Sequence, residues 1–449
     1  MIKKCFGYIS IAIMVSLLLT ACGGKSGYDE GYEAGLKAAQ EASETDDTDE
    51  TDNSYSDEME SDDENELFGE IGSAKDWSDA DQNYETQDYS YDTSDGYFAY
   101  RQVVSDPQTG YPVAEVLVPQ GWVAACEVNW DVYDVAFPAL AHVAVYKEDG
   151  TAQMDYYTTQ QYMMNSKEVA GYSEQSPEGV DYELHATRLD YQRADEYAEG
   201  IISGNLSSEY SILSDVPNND EEFGQVEQWY HDYCISQAQI SQQALGSAMQ
   251  YDLLWDEVTQ ARKYFSYINQ QTNAQSYGEI STLVLGTQSA ITTPGTVHIG
   301  NIVDYTTVWM PVFIQVYTAY DEDSYNNNYD EYEMISDSIT IRAEFTSAMK
   351  QKGLQLADQV FTYIAQKNGG SSGTSLDTQS EIEETYDTID RTFEMWDDVI
   401  KEQNEYALED GSTIKVPTKY DAVYQSGDEL YFGTDGGAPD GWNKLYETY

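Results

Sequence analysis

Four histidines, 82 carboxylates and 40 tyrosines are the side chains of this 449-residue chain best suited to chemistry. His142, His185, His231 and His298 stand apart in sequence. None has the i, i+4 histidine partner or the nearby cysteines that a zinc site uses, so each reads as an ordinary surface or half-buried residue. No Gly-x-Ser-x-Gly turn presents a serine nucleophile, and no glycine-rich loop with lysine offers a phosphate cradle. Asp321, Asp323 and Asn326 to Asn328 have the look of a calcium loop, but an EF-hand needs Gly at its sixth place and Glu at its twelfth, where Asn326 and Tyr332 stand. An irregular calcium site from Asp321, Asp323 and Asp330 competes there with a plain solvated hairpin loop. Carboxylate pairs such as Asp397-Asp398 would suit glycoside hydrolysis only across a cleft, and with 82 acids a pair in sequence says little. The sequence therefore names no catalytic residue, no metal site and no cofactor. Tyrosine joins a large apolar face to a polar tip, which suits interfaces and sugar stacking. Tyr317, Tyr320, Tyr325 and Tyr329, gathered around the acidic segment, are accordingly the candidate exposed recognition surface. Trp122, Trp130, Trp309 and Trp396 fall in periodic segments and are expected in the core.

Charge narrows the partners. Lys and Arg number 21 against 82 Asp and Glu, a net charge of −61. Nucleic acids and anionic lipid surfaces need a positive face to release counterions, and this chain offers none. Basic proteins, cations and neutral sugars remain. A hydrophobic content of 41% with 13% aromatics supplies at least one core, and the length allows two or three domains.

Lys3 and Lys4 precede an apolar run from Ile9 to Leu19 that is too short to span a bilayer. Residues 1–21 read as a signal peptide. Leu19-Thr20-Ala21-Cys22, followed by Gly23-Gly24, resembles the lipobox of bacterial lipoproteins. The resemblance implies that Cys22 becomes the lipidated N-terminus and that the membrane is a partner through acyl chains, each buried CH₂ contributing about 0.8 kcal/mol. It implies an address on the extracytoplasmic face of the cell membrane. Cys5 falls in the discarded peptide. Cys126 and Cys234 leave two readings open: a disulfide, which that compartment allows, or two buried thiols acting as small hydrophobes.

Residues 22–95 read as anchor and tether. Gly27, Gly31, Gly35 and Ala39 place small residues on one helical stripe, which resembles the glycine-every-fourth helices of some bacterial assembly proteins; the alternative is a fraying helix. Residues 41–95 hold 22 Asp or Glu and one basic residue, Lys75. That composition cannot bury a core and is expected to be disordered; with the preceding residues, the tether from Gly23 to Asp95 would have a reach of roughly 45 Å.

Residues 96–367 read as an α+β body. Strands are expected at Tyr97–Val104, Val113–Val118, Val123–Trp130, Leu140–Lys147 and Thr151–Tyr157. Helices are expected at Arg193–Ser203 and Glu221–Gln250, strands again at Arg262–Asn269, Tyr277–Leu285, Val303–Tyr320 and Ser338–Ala343, and a closing helix at Phe345–Gln366. This order, with Pro119, Gly121 and Trp122 forming a Pro-x-Gly-Trp turn, resembles the PsbP/Mog1-like fold, an antiparallel sheet flanked by helices. The resemblance carries no activity across. Residues 368–375, NGGSSGTS, read as a linker. Residues 376–449 read as a helix over Leu376–Leu408 followed by two or three short strands, a small module docked on the body because so few residues make a marginal core alone.

The expected function is a lipid-anchored extracytoplasmic surface protein, a non-enzymatic binding module for a protein or an envelope polymer. The alternative is a solute-binding lipoprotein serving a transporter, which would need two lobes around a cleft. A carboxylate-based glycan hydrolase is a third class and would need two inward carboxyls roughly 5–9.5 Å apart.

Overall fold

The computed structural model describes residues 96–367 and 403–448, apart from 131, 170, 183, 217–219, 248, 296–299, 418–419, 421 and 434–440. Cys22, the tether, the linker and residues 376–402 thus lie outside the described residues.

The body opens on β1 (Gly96–Ser105), β2 (Pro112–Pro119) and β3 (Trp122–Asn129). Asp106 makes the first turn, its carboxylate accepting from the backbone N–H of Gln108 at 3.0 Å, the local bonding that suits Asp to turns. Gly121 makes the second at φ +81°, which a residue with a Cβ adopts only at a cost. Along β3, Ala124, Cys126 and Val128 are buried while the residues between them face the other way, the two-residue period of a strand.

Six strands follow: β4 (Leu140–Lys147), β5 (Ala152–Tyr157), β6 (Tyr162–Val169), β7 (Tyr172–Gln175), β8 (Gly179–Asp181) and β9 (Ala186–Arg188). Helix α1 (Ala194–Ile201) runs into a π turn at Ile202–Leu206. After β10 (Tyr210–Asp215) and α2 (Asp220–Leu245) come three long strands, β11 (Gln250–Ile268), β12 (Gln275–Thr293) and β13 (Ile302–Ala319). Two short helices, α3 (Glu322–Asn327) and α4 (Tyr329–Ser338), lead through β14 (Thr340–Ile341) to α5 (Ala343–Lys367). The chain then gives β15 (Gln403–Ala407), β16 (Thr413–Pro417), β17 (Ala422–Ser426), β18 (Glu429–Gly433) and β19 (Asn443–Lys444).

The larger sheet runs β10-β11-β12-β13-β5-β4-β3. β13 is long enough to pair with β6 along its first half and β5 along its second, so the sheet forks there. The smaller sheet runs β14-β2-β1-β18-β17-β19. β18 pairs with β1 from Gly96↔Gly433 to Tyr100↔Glu429, and Leu430 and Phe432 share a core with Ala99, Leu117 and Met334 of the body. β17, β18 and β19 are therefore part of the body's own sheet, while β15 and β16 form a separate two-stranded ladder.

Helices cover both faces of the long strands. Val226, Tyr230, Tyr233 and Cys234, spaced by three and four on α2, pack with Val258, Leu283 and Leu285 and with Ala357 and Val360 of α5. On the opposite face Tyr197, Ala198 and Ile201 of α1 meet Phe265, Ile280, Trp309 and Val316. A third core holds Val118, Trp122, Val143, Tyr317, Tyr332 and Phe345. Full burial of each large apolar side chain contributes roughly 1.5–3 kcal/mol. Gly278 shows how tight the packing is: a Cβ there would lie 2.6 Å from the Tyr317 carbonyl oxygen and 2.7 Å from the Phe265 ring.

β3 is a sheet edge, and side chains cap it. Tyr100 Oη donates to the Trp122 carbonyl at 3.2 Å, Gln102 Nε2 to the Ala124 carbonyl at 3.3 Å, and Lys352 Nζ to the Trp130 carbonyl. The first two bonds fill acceptors that an edge strand would otherwise offer to another chain, and the third lies just past the strand's end.

An α+β layout is observed, weighted toward sheet. Three expected elements change. Helix α2 stops at Leu245, because Gly246 turns to φ +63° and Gln242 clasps the turn, donating to Gly246 O at 2.8 Å and accepting from Tyr251 N at 2.8 Å; β11 then begins well before Arg262. The segment expected as a solvated hairpin loop is α3 and α4, started by Asp321, whose carboxylate accepts from Ser324 N at 2.8 Å as an N-cap. The helix expected through Leu408 is replaced over Gln403–Ala407 by β15, paired with β16. Among the described residues no helix is long and apolar enough to cross a membrane.

Candidate functional site

A dense polar cluster is built on Glu279. It sits in β12, opposite Tyr264 of β11 and Tyr317 of β13. Its side chain is 1% exposed, yet it is charged, so it requires partners. Arg262 Nε donates to Glu279 Oε1 at 2.6 Å. From above, α3 and α4 lower three phenols: Tyr325 Oη donates to Oε2 at 3.1 Å, Tyr329 Oη to Oε2 at 3.2 Å and Tyr332 Oη to Oε1 at 3.4 Å. Arg262 also donates to Tyr329 Oη at 2.7 Å. Tyr317 stacks on Tyr332, centroids 4.5 Å apart and nearly parallel, and donates to the Tyr325 carbonyl at 3.1 Å.

Burial, followed by the Glu279 charge, pushes the Tyr325, Tyr329 and Tyr332 hydroxyls well above the usual phenol range. Burial opposes the Arg262 charge, but Glu279 outweighs it and holds the guanidinium protonated. The phenols stay donors and the carboxylate oxygens are taken. The arrangement is a fixed ionic pin between sheet and helices.

Three of the four tyrosines singled out from sequence, Tyr317, Tyr325 and Tyr329, do converge here, but not as an exposed surface. Tyr317 and Tyr325 are buried and Tyr329 is half-buried; only Tyr320, 51% exposed, faces solvent. Sequence reasoning missed Glu279, Arg262 and Tyr332. The available signal was Glu279 near the start of β12, as the one charged residue of that strand, where a charge needs a buried partner.

A second cluster lies on β3, β4 and β5. His142 Nε2 is 2.7 Å from Oδ1 of the fully buried Asp155, and Nδ1 is 3.6 Å from Glu127 Oε1. The ring stacks on Tyr157 at 4.3 Å, and Gln153 Nε2 donates to both Asp155 oxygens, at 2.7 and 2.9 Å. Burial disfavours the charged ring, but the bonds to Asp155 and Glu127 outweigh it and raise its pKa to about 8. With a carboxylate at each ring nitrogen, this histidine holds a proton in place. Asp134, also buried, accepts from the backbone N–H groups of Ala136, Gln161 and Phe137 at 2.8, 2.9 and 3.1 Å. Burial outweighs those bonds and raises it to about 6.

The remaining expected residues are dispersed. Cys126 and Cys234 are free buried thiols in different cores, so the disulfide reading gives way to the small-hydrophobe one. His231 pairs with Asp256 at 3.0 Å, His185 lies against Tyr133, and His298 is outside the described residues. Among the described residues no three His, Cys, Asp or Glu side chains converge as metal ligands. Asp321 is the α3 cap, and Asp330 accepts from Tyr97 Oη at 2.7 Å.

No known protein family matches the chain, and no curated protein matches it. Among solved structures it is similar to the solution structure of cyanobacterial PsbP from Synechocystis sp. PCC 6803, at 10% identity and a TM-score of 0.13, over 54% of this chain and 94% of that one. A likeness at that score is a loose one and carries no activity to this chain.

Proposed function

We propose that this chain is a lipid-anchored extracytoplasmic protein whose folded body is a non-enzymatic binding module for a protein or an envelope polymer. The anchor half rests on Leu19-Thr20-Ala21-Cys22 behind Lys3, Lys4 and the short apolar run. The observation that carries the binding-module half is the closure of the Glu279 cluster. Three phenols and a guanidinium fill its oxygens, so this buried carboxylate is spent on holding helices to the sheet. A PsbP/Mog1-like arrangement is the finer fold reading, supported by the Pro119, Gly121 and Trp122 turn.

The test is incorporation of a labelled fatty acid into the intact protein in a bacterial host, with Cys22→Ser as control, followed by cross-linking on whole cells. Cys22-dependent label and a discrete cross-linked species support the reading. Label that persists in Cys22→Ser, or no label at all, overturns the anchor; turnover of an added glycan or peptide by the purified protein overturns the non-enzymatic assignment.

A further inference from the structure

The long strands outrun the helix that covers them. In the row of Glu257 and Trp309, α1 closes the face: Trp309 is fully buried, stacked on Tyr162 at 4.5 Å and met edge-on by Tyr197 at 5.6 Å. Two residues along, the same face opens. Trp255, Gln288 and Thr307 are direct cross-strand partners on β11, β12 and β13. Their side chains are hydrogen-bonded in series, Trp255 Nε1 donating to Gln288 Oε1 at 3.1 Å and Gln288 Nε2 to Thr307 Oγ1 at 2.9 Å. Tyr191 leans on Trp255 with centroids 5.0 Å apart, over Gly286, where a Cβ would lie 2.5 Å from the tyrosine ring. Tyr305 continues the strip beyond Thr307, its hydroxyl donating to Glu168 Oε2 at 3.2 Å. Tyr191, Trp255, Gln288 and Tyr305 are all half-buried, each keeping part of its surface in solvent.

We infer that this strip binds a neutral glycan chain, with Trp255 and Tyr305 as stacking planes and Gln288 as the hydrogen-bonding group between them. The inference deepens the binding-module reading and rests on it. Indole and phenol offer flat apolar faces with polar edges, the surface a sugar ring presents in reverse. Gln288 spends one amide proton on Thr307, and its chemistry leaves a second proton and further acceptor capacity for sugar hydroxyls. Two strand spacings and two residues separate the planes, roughly 12 Å, the span of a short oligosaccharide. Bonds to Trp255 and Thr307 fix the amide in advance, so little ordering is needed on binding. Glu168 flanks the strip at its outer end, accepting from Tyr305; at the other end Glu257 accepts from Tyr191 at 2.9 Å and is paired with Arg193. With a net charge of −61 behind it, Glu168 disfavours an anionic polymer and keeps acceptor capacity for neutral hydroxyls.

The test is co-sedimentation of the full-length protein, in detergent, with insoluble cellulose, chitin and starch. Binding to at least one polymer is expected, with apparent Kd raised at least tenfold by Trp255→Ala and by Gln288→Ala, and unchanged by Tyr446→Ala, an exposed position beside β15. A thermal melt of each variant identifies one that has failed to fold, and Tyr305→Ser, at the outer end of the strip, gives an independent readout. Sedimentation undiminished in all strip variants overturns the site while leaving the binding-module reading standing. No sedimentation with any polymer, beside a retained protein cross-link on whole cells, overturns it in favour of a protein partner. Failure of Cys22 lipidation leaves sedimentation untouched, so the two readings fail separately.

Discussion

Arg262 Nε lies 2.6 Å from Glu279 Oε1, and the pair joins neighbouring strands beneath a lid of three tyrosines. Removing one partner of such a buried pair leaves an uncompensated charge. Arg262→Ala is expected to destabilise the chain by about 3–5 kcal/mol, and Tyr325→Phe, which removes one donor to a charged acceptor, by about 1.5–3 kcal/mol. Urea unfolding measures both. An Arg262→Ala midpoint equal to that of the parent would show that the pair is not holding the helices down.

His142 sets a pH dependence of stability. Its folded pKa, about 8, lies above the ordinary histidine value near 6.5. The stabilisation is therefore fully present below about 6.5 and is lost as pH rises through about 8, a change of about 2 kcal/mol. His142→Gln should flatten the unfolding free energy across that window.

Asp134 acts at lower pH. Burial raises it to about 6, so the folded state holds its proton more tightly than the unfolded chain does. Its contribution is present below the ordinary aspartate value near 3.9 and declines as pH rises through about 6. Asp134→Asn keeps an acceptor for Ala136 and Phe137 and should remove that slope, leaving the His142 slope in place; an unchanged slope would assign it elsewhere.

The C-terminal strands should unfold with the body. Phe432 is fully buried in the core that Ala99 and Leu117 also line. Phe432→Ala is expected to cost about 3–5 kcal/mol and to lower one common transition for both tyrosine fluorescence and far-ultraviolet circular dichroism. A separate early transition would make residues 403–448 an independent unit.

Local pattern was legible in the sequence wherever one residue decided the geometry. Gly121 and the alternation of Ala124, Cys126 and Val128 placed β3, and the three-four spacing of Val226, Tyr230 and Tyr233 placed α2. Tyr251 to Ala261 escaped because Ile240 and Ala244 continue a helical period across a stop that depends on the Gln242 side chain reaching Gly246 and Tyr251. The acidic segment was read as loop because its carboxylates suggested solvent, whereas its tyrosines are the face that folds inward. Of the site, the tyrosines were visible but their direction was not: Glu279 lies more than forty residues from Tyr325 in the chain, and only strand register brings them together. The Trp255, Gln288 and Thr307 strip is likewise a product of register and leaves no local motif.

The pairing of β18 with β1 orders events in time. Tyr100, among the first residues of the body to be synthesised, can pair early with Val118 of β2 but finds its second sheet neighbour only when Glu429 has been made. The smaller sheet therefore cannot close on a nascent chain, and an unfinished body has an open edge for most of its synthesis. A chain whose folding waits until its last strands exist meets that topology without exposing a half-built sheet.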